Sequence, residues 1–195
     1  MDEEALGRGK IGLCPFCRKP DIISDEEENV RIKKLVVVNN ADALYNLAGY
    51  YDRGIYGMPQ DRAKANELLL KAGELGCAEA YFNLGKSYEN GMGVEVDKKK
   101  AKHCNELAAM NGDVYARHNL GCVEVAAGKY NRASKHFILS AKAGLKNSLD
   151  EVKQGYMIGY VTKDEYANTL RAYQKIQDEI KSKERDKARE DRPVW

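Results

Sequence analysis

The sequence predicts an all-α protein, an α-α superhelix of stacked helical hairpins. Three stretches of the 195-residue chain resemble one another: residues 41–76, 77–112 and 113–144. In each stretch, apolar and small residues recur at spacings of three and four, the period of an α-helix. The chain has only four prolines, which leaves room for long helices. Tandem similarity of this length is typical of solenoids whose repeats share one core.

The composition suits a folded, water-exposed protein. Hydrophobic residues make up 43% of the chain and charged residues 32%, which excludes a mainly disordered polymer. The formal net charge of +2 gives no global attraction toward nucleic acid or an anionic membrane. No segment approaches the roughly 20 apolar residues that a membrane span requires. We therefore expect neither nucleic acid nor a membrane as a partner.

The amino terminus and the cysteines indicate a reducing compartment. Residues 1–10, MDEEALGRGK, contain no apolar run that would mark a signal or transit peptide. The five cysteines are an odd number, and Cys77, Cys104 and Cys122 lie within helical patterns. Free thiols fit this arrangement better than a disulfide framework. We expect a cytoplasmic monomer, with a nuclear location left open.

The first motif is the pair Cys14 and Cys17 in the segment CPFCR. A C-P-x-C knuckle directs two thiolates at one metal ion, and a structural zinc site needs four protein ligands. The segment resembles the last ligand pair of a RING-type zinc finger, which implies zinc binding or ubiquitin transfer. Only thirteen residues precede Cys14, and none is Cys or His. We interpret residues 1–23 as a disordered remnant of such a finger.

Two other interpretations of the pair stay open. C-P-x-C also occurs at glutaredoxin-like redox sites, where a strand precedes the first Cys and a helix begins at it. Here Pro20 disfavours helix at Lys19, and no βαβ pattern follows. The other interpretation is that both thiols are exposed and bind nothing. We expect no cofactor in the chain as it stands, and zinc only with ligands from elsewhere.

Residues 24–39 predict a capping helix. Ser24 and the acidic residues after it form a capping box, which places carboxylates at the positive end of the helix. We expect this helix to end near Val38 and to cover the first repeat with Val30, Leu35 and Val38. The β-branched run LVVV is also typical of a strand, but no pairing strand is evident.

Each of the three repeats predicts two helices. The first helix carries an apolar stripe at i, i+4 and i+8, which in the first repeat is Ala43, Leu47 and Tyr51. The equivalent residues are Ala80, Leu84 and Tyr88, then Ala116, Leu120 and Glu124. A small residue follows each leucine and allows the second helix to approach closely. These small residues are Ala48, Gly85 and Gly121, and their counterparts on the second helices are Ala65, Ala101 and Ala133. The second helices end at Gly76, Gly112 and Gly144, where a left-handed cap needs no Cβ.

Residues 145–175 predict a degenerate fourth unit. Ser148, Val152 and Tyr156 continue the stripe, residues 155–162 form the turn, and a helix begins at Lys163 and ends near Glu190. The second half of this helix mixes charges at spacings of three and four. We expect a capping helix that projects into solvent. The repeats then occupy residues 40–160, and the long helix and tail occupy residues 161–195.

The second repeat resembles the SLR (Sel-one-like) subclass of tetratricopeptide repeats. From Asn83 to Ala101 it follows the pattern N-L-G-x-x-Y-x-x-G-x-G-V-x-x-D-x-x-K-A. The segment KPDIISDEEE resembles the region that joins a RING-type finger to SLR repeats in a family of diatom-type algal proteins. The resemblance implies an α-α superhelix and an adaptor function without catalysis. The open alternatives are the substrate-recognition part of a RING-type ubiquitin ligase and a self-associating scaffold.

The resemblance to tetratricopeptide proteins implies a concave groove that binds a protein or peptide partner. Positions off the apolar stripe are expected to face it: Tyr45, Gly49, Phe82, Lys86, His118 and Cys122. Aromatic anchors beside one cation favour a partner segment with an apolar and an acidic residue.

Two other sets of polar residues are predicted to be structural. Asn46, Asn83 and Asn119 recur at one position, so we expect their amides to satisfy backbone groups between helices. The histidines are His103, His118 and His136. None has an evident Cys or carboxylate partner at ligand spacing, so we expect surface or packing roles.

Overall fold

The computed structural model describes residues 25–37 and 39–190. Within these two ranges the secondary structure is nine α-helices and no strand, so the all-α prediction is confirmed. The helices are α1 (Asp25–Val37), α2 (Ala41–Arg53), α3 (Arg62–Glu74), α4 (Ala78–Asn90), α5 (Lys98–Met110), α6 (Val114–Ala126), α7 (Tyr130–Lys142), α8 (Lys146–Met157) and α9 (Lys163–Glu190).

The helices stack in chain order, as expected of a solenoid. The closest pairs are α2 with α3, α4 with α5, and α6 with α7, which are the three hairpins. Each hairpin also packs on the next, and α9 returns to pack on α7 and α8. Small residues stand where the helices touch: a Cβ on Gly85 would lie 3.3 Å from the Ala101 carbonyl oxygen. This agrees with the prediction that small side chains permit close approach.

Aspartates cap the start of two of the second helices, α3 and α5, and glycines follow the end of α3, α5 and α7. The Asp61 carboxylate accepts a hydrogen bond from the Lys64 amide, and Asp97 accepts from Lys99 and Lys100, so each aspartate caps the helix that follows. The glycines that follow α3, α5 and α7 have φ between +98° and +100°, which confirms the left-handed caps. These glycines are Gly76, Gly112 and Gly144.

Helix α1 covers the first repeat with residues other than those predicted. Val30 is 53% exposed, whereas Ile32 is 3% exposed and packs into the core of the first repeat. Glu28, Ile32 and Val36 lie on one face because they are spaced by four residues. Val30 lies on another face, so its predicted role is wrong. The Leu35 side chain and Val38 lie outside the described residues.

The fourth unit also departs from its prediction in two places. Helix α8 continues to Met157, so Gly155 is a buried helical residue and the turn begins after it. Ser148 and Val152 are buried as predicted, but Tyr156 is exposed and stacks on Tyr166 of α9 with ring centroids 5.3 Å apart. The residue before Tyr156, Gly155, is buried in its place and continues the buried face of α8.

Helix α9 does not project into solvent along its whole length. In its first half Thr169 is fully buried, and Leu170 and Tyr173 pack against the core of α7 and α8. The residues from Asp178 to Lys183 are exposed. The first half packs as the second helix of the fourth unit, because Tyr166, Leu170 and Tyr173 give that half an apolar face at spacings of four and three. The projection predicted from the mixed charges concerns the second half.

Candidate functional site: clefts between the repeats

The first candidate site is a cleft of about 310 Å³ between α2, α3 and α4. Ala48, Ala65 and Leu69 give it an apolar floor, while Tyr45 and Lys86 stand at its polar wall. The Asn83 amide donates a hydrogen bond of 3.1 Å to the Tyr45 hydroxyl, which holds the phenol ring in place. The cleft thus combines a fixed aromatic ring with a cation.

The charges around this cleft leave Lys86 available. Asp52 pairs with Arg62 at 3.4 Å, and the Arg53 guanidinium donates to the Gly49 carbonyl oxygen. The Lys86 ammonium lies 5.7 Å from the centroid of the Phe82 ring, a weak attraction at an exposed site. Within the described residues no carboxylate pairs with Lys86, so this wall of the cleft carries positive charge.

A second cleft, of about 490 Å³, lies one repeat further along between α4, α5 and α6. Its lining residues occupy the same repeat positions: Asn119 stands where Asn83 does, and Cys122 where Lys86 does. Asn105 replaces the Leu69 of the first cleft and is 6% exposed. Its amide nitrogen donates to the Ala101 carbonyl oxygen at 3.1 Å, and its Oδ1 is buried without a hydrogen-bond partner.

The structure separates the six residues predicted to face the groove. Tyr45, Gly49 and Lys86 line the first cleft, and Cys122 lines the second. Phe82 and His118 are not among the lining residues of either cleft. Phe82 is half-buried with its ring centroid 6.1 Å from that of Tyr115, and the His118 ring is 5.3 Å from that of Phe137. These two rings contact residues of neighbouring helices, and their assignment to the groove stays a prediction.

The recurring asparagines do not play the predicted backbone role. Asn83 donates its amide to a side-chain hydroxyl, that of Tyr45, and Asn46 is exposed. A hydrogen bond from an asparagine side chain to the backbone is made instead by Asn66. Its amide donates to the Met92 carbonyl oxygen at 2.7 Å and connects α3 to the loop after α4. In the alignment of the repeats, Lys102 occupies the position of Asn66. This correspondence is the sequence signal from which both cleft residues could have been predicted.

A buried carboxylate lies between the second and third hairpins. Glu124 takes the stripe position of Tyr51 and Tyr88, and it is 3% exposed. Its two oxygens lie 3.6 Å from the Lys102 ammonium and 3.6 Å from the Arg132 guanidinium. These distances are too long for hydrogen bonds but close enough for ion pairing. The pairs offset the cost of burying this charge, and they link α5, α6 and α7.

The predicted zinc half-site is not tested by the structure. Cys14 and Cys17 lie outside the described residues. Between residues 25 and 190, no group of three or more His, Cys, Asp or Glu side chains is placed to hold a metal ion. In the same part of the chain, no helix combines the length and the apolar character needed to cross a bilayer.

Comparison with known sequences identifies the repeats. Residues 41–77 and 78–113 each match the Sel1 repeat. The chain is 39% identical over 62 residues to a Sel1-like repeat-containing protein of Acanthamoeba polyphaga mimivirus, and 36% identical over 94 residues to an exopolysaccharide production negative regulator of Rhizobium meliloti. These alignments cover 32% and 47% of the chain but only 12% and 35% of the two relatives.

Comparison with solved structures identifies the fold. A Sel1 repeat protein from Oxalobacter formigenes superimposes with a TM-score of 0.65 at 23% identity, over 78% of this chain and 64% of that one. A protective antigen from uropathogenic Escherichia coli strains, which displays an SLR fold, gives 0.62 at 23% identity, over 75% of this chain and 33% of that one. The resemblance to SLR repeats is confirmed, while the resemblance to a RING-type finger, which rests on residues outside these matches, stays a prediction. Residues 41–113 therefore match the Sel1 repeat, and the chain has the α-α superhelix fold seen in SLR structures.

Proposed function

We propose that this protein is an adaptor that binds a segment of a partner protein along the clefts between its repeats. Sel1 repeat proteins generally mediate protein–protein interaction. The observation that carries the proposal here is the first cleft, which is lined by the ring of Tyr45, fixed by Asn83, and by Lys86, with which no carboxylate of the described residues pairs. A catalytic role is not part of the proposal, and the monomeric state and cytoplasmic location stay predictions.

The repetition of the cleft supports an extended or helical partner segment. Two clefts with the same repeat positions follow each other along the stack, so one continuous segment can contact both. Lys86 borders the first cleft and Lys98 borders the second, where Lys102 is already paired with Glu124. We infer that the segment is acidic and carries an apolar side chain for the floor formed by Ala48 and Leu69. Acidic residues on it would complement the lysines.

Selection from a random peptide library on the immobilised chain tests this proposal. We expect enrichment of peptides in which an apolar residue is accompanied by Asp or Glu. Lys86→Glu should weaken binding of an enriched peptide by about tenfold, roughly 1.4 kcal/mol, because it reverses the charge at the cleft. Lys71→Glu on α3, exposed and outside both clefts, is the matched control and should leave the affinity unchanged. Equal affinities for the two variants in calorimetric titration would show that the peptide binds elsewhere.

A further inference from the structure

His118 and Cys122 form a pair of metal ligands on one face of α6. They are four residues apart, and in the metal-free chain the Cys122 Sγ and the His118 Nε2 are in hydrogen-bond contact at 3.6 Å. A tetrahedral zinc ion binds sulfur at about 2.3 Å and imidazole nitrogen at about 2.0–2.1 Å, which separates the two ligand atoms by about 3.6 Å. The two side chains are thus already at the spacing that a shared tetrahedral cation requires.

A chain of hydrogen bonds fixes the tautomer of His118. The Ser140 hydroxyl donates to the Val114 carbonyl oxygen at 2.8 Å, and the Ser148 hydroxyl donates to Ser140 at 2.9 Å. Each hydroxyl has a single proton, so Ser148 accepts the remaining hydrogen bond, from His118 Nδ1 at 2.9 Å. The lone pair of the imidazole is therefore on Nε2, the nitrogen beside Cys122.

This hydrogen-bond chain is the type of support that metal-binding histidines have. Their second ring nitrogen usually donates to a fixed acceptor, which sets the orientation of the ring. Ser140 and Ser148 are both fully buried, so the acceptor cannot move easily. Contact of the ring with Phe137 adds a second restraint. His103, which is exposed on α5, has no comparable support.

The thiol of Cys122 is accessible. Cys122 is exposed and lines the second cleft, whereas Cys77 and Cys104 are buried. Partial burial of the sulfur and the nearby Glu151 carboxylate raise the pKa of the Cys122 thiol. The ligand is the thiolate, so metal binding releases the thiol proton to solvent.

We propose that His118 and Cys122 together bind a borderline-soft divalent metal ion of the zinc class on α6, at the edge of the second cleft, which Cys122 lines and His118 does not. Two protein ligands leave two positions of a tetrahedral ion open, and water fills them in the isolated chain. This site is distinct from the Cys14 and Cys17 pair, and it does not depend on the proposed adaptor function.

Titration with Co²⁺ alone tests the site, because a thiolate bound to cobalt gives a charge-transfer absorption band in the near ultraviolet. The full-length chain is used with Cys14→Ser and Cys17→Ser, so that this pair contributes no ligand. We expect the band to appear, to disappear when Zn²⁺ is added, and to be absent after Cys122→Ser. His118→Gln should weaken Co²⁺ binding by at least about tenfold, and Ser148→Ala by about tenfold through loss of the orienting hydrogen bond.

Two matched variants control for general effects on cysteine and histidine. Cys77→Ser and His103→Gln should keep the band and its affinity, and circular dichroism should show the same helix content in every variant. Absence of the band in the parent chain, or its persistence after Cys122→Ser, would overturn the proposal. Equal Co²⁺ affinity of the parent and Ser148→Ala would overturn the positioning role of the serines.

Discussion

At the scale of single residues, two helical glycines in equivalent helices have opposite surroundings. A Cβ added to Gly121 would lie 2.5–2.8 Å from three ring atoms of Phe137, closer than atoms can pack. A Cβ on Gly49 would meet only the end of the flexible Arg53 side chain, at 3.2 Å. The contact between α6 and α7 therefore requires Gly121 to lack a side chain, whereas the packing around Gly49 leaves room for one.

We predict that Gly121→Ala destabilises the protein and that Gly49→Ala stabilises it. Overpacking against Phe137 should lower the free energy of unfolding by about 1–3 kcal/mol. At Gly49 the gain in helix propensity should raise it by about 0.5–1 kcal/mol. Urea unfolding followed by circular dichroism measures both changes. A Gly121→Ala variant as stable as the parent would mean that the two helices can separate without cost.

At the scale of the helix, α1 is held to the first repeat by one apolar and one polar contact. Ile32 is buried in the core of the first repeat, and the Tyr50 hydroxyl donates 2.8 Å to a Glu28 carboxylate oxygen. Burial of the phenol, together with this carboxylate, raises the pKa of Tyr50 to about 12. The phenol thus stays protonated, and able to donate, at any physiological pH. Through these two contacts, α1 caps the outer side of the first hairpin.

We predict that truncating Ile32, but not Val30, releases α1. Ile32→Ala should cost about 2–5 kcal/mol, because it removes a buried side chain and leaves a cavity. Val30→Ala is the control and should change stability by less than about 0.5 kcal/mol, since Val30 is exposed. Thermal unfolding compares the two. Similar losses of stability in both variants would contradict the burial of Ile32 and the exposure of Val30.

At the scale of the whole molecule, the core is divided along the stack. One cluster spans α1 to α5 around Leu44 and Leu84, a second joins α4, α5 and α6 around Leu120, and a third joins α7, α8 and α9 around Phe137 and Leu149. Each cluster is formed mainly by helices that are neighbours in sequence. Stability is therefore expected to depend on local terms between adjacent hairpins, as in other solenoids.

We predict that a core deletion in the third cluster loosens one end of the molecule only. Leu149→Ala should lower amide hydrogen-exchange protection in α7, α8 and α9, with a local cost of about 2–5 kcal/mol. Protection in α2 and α3 should be unchanged. The exposed Leu139 of α7 provides the matched control, Leu139→Ala, with no expected change. An equal loss of protection in all helices would show that the stack unfolds as one cooperative unit.

The sequence by itself determined the number of hairpins in the repeats, their stacking and the small residues at their contacts. These depend on spacings of three and four residues and on glycines at helix ends, which are local properties of the chain. The repeat register also places Tyr45 and Lys86 off the apolar stripe, and both residues line the first cleft; their role in binding a partner stays a prediction.

Only the tertiary structure decided which polar groups meet. The hydrogen bond from Asn83 to Tyr45 spans 38 residues, and that between His118 and Ser148 spans 30. The sequence analysis assigned no Cys partner to His118, although Cys122 follows it by four residues; the structure shows the contact between the two side chains and the hydrogen bond to Ser148 that orients the imidazole. Periodicity gives the face of a helix on which a residue such as Phe82 lies. Which neighbouring residue contacts that face, here Tyr115, depends on how the hairpins rotate as they stack.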